Sequence, residues 1–135
     1  MKTQAMEEIF QEINTERDLA EARRQAKELS KKLGLGPLAI TKFITAVSEL
    51  GRNMLNHAGS GTVVFSESIG PKGKGKIQAT FKDQGPGIAE IESALKDGFS
   101  TGGSLGLGLP GAKRLCAEFE VLECRNGTEI RIAQW

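Results

Sequence analysis

The chain has 135 residues, 39% of them hydrophobic, with 18 basic and 17 acidic side chains and a formal net charge of +1. That length suits one domain whose core needs neither disulfides nor a structural metal, and the balanced charge gives no electrostatic ground for binding nucleic acid or an anionic membrane. No apolar run approaches the ~20 residues that span a bilayer, Glu7, Glu8 and Glu12 speak against a leader peptide, and a single His57 rules out a histidine-built metal cluster. Cys116 and Cys124 lie in apolar surroundings without a C-x-x-C pattern, so reduced, mostly buried thiols of a cytoplasmic protein are expected.

Residues 6–13, MEEIFQEI, are expected to open the chain as a short strand. Asn14 or Thr15 then caps a helix to about Leu33, because Leu19, Ala22, Ala26, Leu29 and Leu33 recur at three and four residues. Gly34 and Gly36 end it. Pro37 starts a second helix over 37–57, with Leu38, Ile44, Val47, Leu50, Met54 and Leu55 as candidate core. The glycines of 58–61 break it. Residues 62–69 and 76–82 read as a hairpin around the turn GPKGKG, whose lysines suit a solvated turn.

Residues 85–103 are glycine-rich and irregular, with a short helix possible around 91–96. A third helix is expected over 110–118, then strands over 121–124 and 128–134 joined at Arg125-Asn126-Gly127, with Trp135 as a packed end. The order β-α-α-β-β-α-β-β implies an α+β fold: a two-layer sandwich, a mixed sheet with helices on one face, in one domain.

The sharpest local pattern is GGSLGLGLPG at 102–111, where Gly106, Gly108 and Gly111 match G-x-G-x-x-G. A dinucleotide fold needs a buried strand before that loop and a βαβ continuation after it. Ser100-Thr101-Gly102-Gly103-Ser104 is no such strand, and too little chain follows Gly111. No G-x-x-x-x-G-K-[ST] occurs either. What remains is a glycine loop entering a helix N-terminus, which presents free N–H groups to an anion. A phosphate cradle of another nucleotide fold is therefore expected.

Two further patterns belong with it. Asp83-Gln84-Gly85-Pro86-Gly87 places a carboxylate at a strand end, able to accept from an exocyclic amine such as that of adenine. Taken alone, it reads as an ordinary strand-ending turn. Glu49, Asn53 and His57 recur every four residues on the second helix. An Asn oxygen suits Mg²⁺, and a carboxylate one turn away can act as a general base. Alone, these are the polar face of an amphipathic helix.

Together and in this order, the three motifs resemble the Bergerat-fold (GHKL) ATP-binding family, which includes gyrase, Hsp90, histidine kinases and MutL. ITAVSELGRNMLNHAGSG, KDQGPGI, KDGFSTGGSLGLGLPGAKRL and NGTEI are most similar to the small anti-sigma serine kinases of bacterial partner switches, the stressosome kinases among them. The resemblance runs from about Arg17 to the C-terminus. It implies that Asn53 holds Mg²⁺ on the ATP phosphates and that Glu49 prepares the substrate hydroxyl. It implies that Asp83 binds the adenine amine, with Gly85 and Gly87 shaping the pocket and Thr128 supporting Asp83. It implies that Gly103, Ser104, Leu105, Gly106, Leu107, Gly108 and Leu109 wrap the phosphates and that the segment from Ile88 to Ser104 is the mobile lid.

The implied function is a serine/threonine kinase that phosphorylates a STAS-domain antagonist and, once released, activates a PP2C-type phosphatase. Alternatives are a kinase that sequesters a sigma factor directly and a non-catalytic ATP-gated binding module. His57 suits a helix C-terminal cap better than a phosphate contact. Lys113 and Arg114 suit solvent or a partner, and Ser100 and Thr101 suit either phosphate or a lid hinge.

Overall fold

A computed structural model describes residues 8–85 and 109–135. Chain order is β1 (Glu8–Ile13), α1 (Glu16–Lys32), α2 (Pro37–His57), β2 (Gly61–Ile69), a 3-10 turn (Pro71–Gly73), β3 (Gly75–Asp83), α3 (Leu109–Leu115), β4 (Glu118–Glu123) and β5 (Thr128–Gln134). The helix expected around 91–96 lies outside the described residues.

Local chemistry sets the helix starts. Thr15 caps α1: its hydroxyl accepts from the Asp18 N–H at 3.1 Å, while the Asp18 carboxylate accepts from the Asn14 N–H at 2.9 Å. Pro37 occupies the first turn of α2, where its missing N–H is not needed. Hydrophobic burial then fixes the faces. Leu19, Ala22, Ala26 and Leu29 of α1 are buried, as are Phe43, Ala46, Val47, Leu50 and Met54 of α2. They cover one face of the sheet, which presents Val63, Phe65, Ile77, Ala79, Phe81, Ile130 and Ile132. Phe43 meets Phe65 edge-on, with ring centroids 6.3 Å apart.

The strands lie in the order β1-β2-β3-β5-β4. Ile9, Phe65, Ala79, Ile132 and Phe119 form one row across all five, all on the helix-covered side because residues two apart share a face. The two-layer α+β architecture is as expected, but among the described residues every pairing is antiparallel, so the sheet they form is not mixed. The reason is the number of reversals. A parallel neighbour needs a single crossover element, whereas two helices separate β1 from β2, and the chain returns running the other way.

Three boundaries or faces differ from the sequence reading. Leu38 is not core; it is 67% exposed, and Phe43 takes the buried position instead. At about 100° per residue, Leu38 falls on the side of α2 turned away from the sheet. The third helix ends at Leu115, not near 118, and β4 starts at Glu118 rather than 121. Glu118-Phe119-Glu120-Val121 alternates exposed charge with half-buried apolar side chains, which is strand periodicity, and pairing with β5 from Ala133 onward satisfies its backbone. The turn between is pinned where the Ala117 N–H donates to Gln134 Oε1 at 2.8 Å. Trp135 follows β5, with Lys76 Nζ 5.5 Å from its ring centroid and 3.0 Å from Glu118.

Candidate functional site

Asp83 is the last residue of β3, and its partner in the β5 register is Thr128, the first residue of that strand. Directly opposed residues put their side chains on the same face, ~5 Å apart at Cβ, so Thr128 stands beside Asp83 on the helix-covered side. The Gly85 N–H donates to Asp83 Oδ1 at 2.8 Å, which fixes the carboxylate plane. Oδ2 accepts no hydrogen bond among the described residues. A half-buried carboxylate with one oxygen held and one available fits an amine donor.

Two close approaches hold this corner in place. A Cβ added at Gly85 would lie 2.6 Å from the Cβ of Ala58, so the turn sits flush against the residue that ends α2. Gly127 has φ of +83°, and a Cβ there would lie 2.2 Å from the Asp83 carbonyl oxygen. The β4–β5 turn therefore rests directly on the backbone of Asp83. By sequence alone, Ala58 belongs to a helix break and Gly127 to a turn. Their contacts with the Asp83 corner join segments distant in the chain, which no local pattern marks.

The orientation of α2 follows from a third close approach. A Cβ at Gly51 would lie 2.3 Å from Leu19 Cδ1, so that flank of α2 faces α1. Glu49 and Asn53 are each two residues from Gly51, roughly 200° around the helix. They share the opposite flank, the one toward α3, which also packs on α2. Both are half-buried. Along the axis, Asn53 precedes Ala58 by ~7–8 Å and Glu49 by ~13–14 Å at the helical rise. Asp83, Asn53 and Glu49 thus make a rising series from the end of α2 toward its middle.

The remaining predicted positions divide clearly. Leu109 begins α3 and is fully buried in the core, so its side chain anchors the entry to the helix and leaves only its backbone for a ligand. His57 is exposed in the last turn of α2, and Lys113 and Arg114 are exposed in the last turn of α3. Gly87, Ser100, Thr101, Gly103, Ser104, Leu105, Gly106, Leu107 and Gly108 lie outside the described residues. Both cysteines are free thiols, and burial pushes Cys116 up to about 12. Among the described residues no group of three or more His, Cys, Asp or Glu could hold a metal ion. A cation beside Asn53 would take most of its ligands from phosphate and water, as Mg²⁺ does. No helix of the described residues is long and apolar enough to cross a membrane.

Comparisons with known proteins bear on the family and the fold. Over 124 residues the chain is 42% identical to the serine/threonine-protein kinase RsbT of Bacillus subtilis (strain 168), covering 91% of this chain and 92% of that protein. The fold is similar to that in the crystal structure of full-length ShkA in complex with AMPPNP, with a TM-score of 0.53 and 22% identity. That match covers 84% of this chain but only 29% of the longer one, and it speaks for the fold alone. Residues 13–134 match the model of the histidine kinase-like ATPase domain. The chain belongs to the histidine kinase-like ATPase domain family.

Proposed function

We propose that the chain is an ATP-dependent serine/threonine protein kinase of a partner-switching system. The observation that carries this reading is the paired Glu49 and Asn53 on one flank of α2, in line with Asp83. A binding module needs the Asp83 corner but has no use for a carboxylate a turn beyond a cation ligand. The similarity to a named serine/threonine kinase over nearly the whole of both chains supports the same reading.

Each residue has a distinct task. Asp83 Oδ2 accepts from the exocyclic amine of adenine, with Thr128 beside it. The side-chain oxygen of Asn53 holds Mg²⁺, which when bound supplies positive charge to the phosphates. The backbone of 104–109 cradles those phosphates. Glu49 takes the proton of a serine or threonine hydroxyl as that oxygen bonds to the γ-phosphorus and the bridging oxygen departs with ADP. Phosphoryl transfer is mostly positioning and charge neutralisation, and the axial spacing of the three residues matches a base, a phosphate chain and an acceptor in sequence. The acceptor is a STAS-domain antagonist, and release from it frees the kinase to activate a PP2C-type phosphatase.

Calorimetric titration with ATP, with and without Mg²⁺, tests the site on wild type and Asp83→Asn, with NAD as the control. Mg-dependent ATP binding, its loss in Asp83→Asn and silence with NAD are expected. Glu49→Ala is expected to bind ATP normally and to transfer phosphate to the antagonist at least ~100-fold more slowly. Wild-type transfer by Glu49→Ala would overturn the assignment of the base.

A further inference from the structure

The β1 edge of the sheet carries features that the nucleotide site does not use. β1 pairs with β2 on one side only, and among the described residues nothing pairs with its other edge. Alternate residues of such an edge turn their N–H and C=O groups outward, ready for another strand. On the face away from the helices, Phe10 is 62% exposed, between the exposed side chains of Glu8 and Glu12. On the helix side, a groove of about 370 Å³ runs between β1 and the flank of α1, lined by Ile9, Arg24, Gln25, Glu28, Leu29 and Lys32.

The groove is part apolar and part built of fixed polar groups. Ile9 and Leu29 give it an apolar floor. Arg24 is held by Glu21 and by Glu28, the latter at 2.7 Å. Gln25 Nε2 donates to Gln11 Oε1 at 3.1 Å, which ties the helix to the strand. The Oε1 of Gln25 is shielded from solvent and has no hydrogen-bond partner among the described residues. A shielded acceptor left unpaired is costly, and a donor entering between α1 and β1 would satisfy it after a small rotation of the amide.

We infer that the β1 edge is the docking site for an extended segment of a partner protein, added antiparallel as a sixth strand. The surface specifies that segment's chemistry. Its outward side chains are basic opposite Glu8 and Glu12 and apolar opposite Phe10. Its inward side chains are aliphatic opposite Ile9, filling the groove over Leu29, and hydrogen-bond donating opposite Gln11, reaching Gln25. A second copy of this chain is disfavoured in the register centred on Phe10. Pairing β1 with itself about Phe10 sets Glu8 against Glu12 twice, and like charges directly opposed are destabilising. The inference is independent of the kinase reading, because it uses none of Asp83, Asn53 or Glu49.

A fluorescein-labelled, end-capped peptide with the core Lys-Thr-Val-Ile-Lys is the probe. Read antiparallel, it sets its residues against Glu12, Gln11, Phe10, Ile9 and Glu8 in turn. Anisotropy titration should show saturable binding to the full chain, and hydrogen exchange should slow at β1 and the adjoining turns of α1. The double variant Glu8→Lys, Glu12→Lys turns two cross-strand attractions into repulsions, so affinity should fall by about tenfold or more. The same variant should bind the Glu-Thr-Val-Ile-Glu peptide as tightly as wild type binds the lysine peptide. Both positions are exposed, so the fold is not at stake. Absence of saturable binding, equal affinity of wild type and double variant, or protection elsewhere would overturn the inference. Dimerisation mapped to β1 by sedimentation and exchange would do so too, by making a second copy the occupant.

Discussion

Replacing Gly127 by alanine tests how the Asp83 corner is held. The residue has φ of +83°, and the new Cβ would lie 2.2 Å from the Asp83 carbonyl oxygen. Left-handed backbone costs a residue with a Cβ about 1–2 kcal/mol. Relieving the contact moves the Asp83 backbone by roughly 1 Å, at about 1–3 kcal/mol of forced repacking. Gly34 supplies the comparison: its φ is +86° and nothing lies within 4 Å of the Cβ it would gain. Gly34→Ala therefore carries the backbone term alone. For a chain of this size each kcal/mol moves Tm by roughly 3–5 °C. Gly127→Ala should melt about 10 °C or more below wild type, and Gly34→Ala about 5 °C below. The ATP assay separates the two further. A charge-assisted hydrogen bond is worth about 1.5–3 kcal/mol, and an acceptor displaced by 1 Å loses most of it. Affinity for ATP should fall about tenfold to a hundredfold in Gly127→Ala and stay at the wild-type value in Gly34→Ala. Equal melting shifts together with equal ATP affinities in the two variants would refute the reasoning.

Asn53→Ala should abolish the gain in ATP affinity that Mg²⁺ confers and leave Mg-free binding unchanged, as calorimetry at the two conditions would read. Leu50 is buried and Leu38 is exposed. Urea unfolding should place Leu50→Ala about 2–5 kcal/mol below wild type and Leu38→Ala within ~0.5 kcal/mol of it. The Cys116 thiol is raised by burial from the ordinary 9.0 to about 12. Between those values the unfolded chain has lost the proton that the folded chain keeps, so this contribution is complete below pH 9 and fades as pH rises toward 12. Cys116→Ala should therefore lose less stability than wild type across that interval in melts taken from pH 8 upward.

The sequence by itself determined the parts that rest on local periodicity and local chemistry. Three- and four-residue spacing marked α1 and most of α2, Thr15 and Pro37 marked their starts, and Asn126-Gly127 marked the last hairpin. The three motifs pointed to the family to which the chain belongs. Tertiary structure alone decided what depends on distant segments meeting. Residues 118–120 joined the strand expected from 121 because β5 offered a partner, and Leu38 lost its place in the core because the second turn of α2 presents Phe43 to the sheet. The antiparallel pairing of β1 with β2 followed from the two helices between them. The contact of Gly51 with Leu19 turned Glu49 and Asn53 away from α1, and the contact of Gly127 with Asp83 fixed the corner beneath them. Helical spacing states which side chains share a face. Only packing states what that face looks onto.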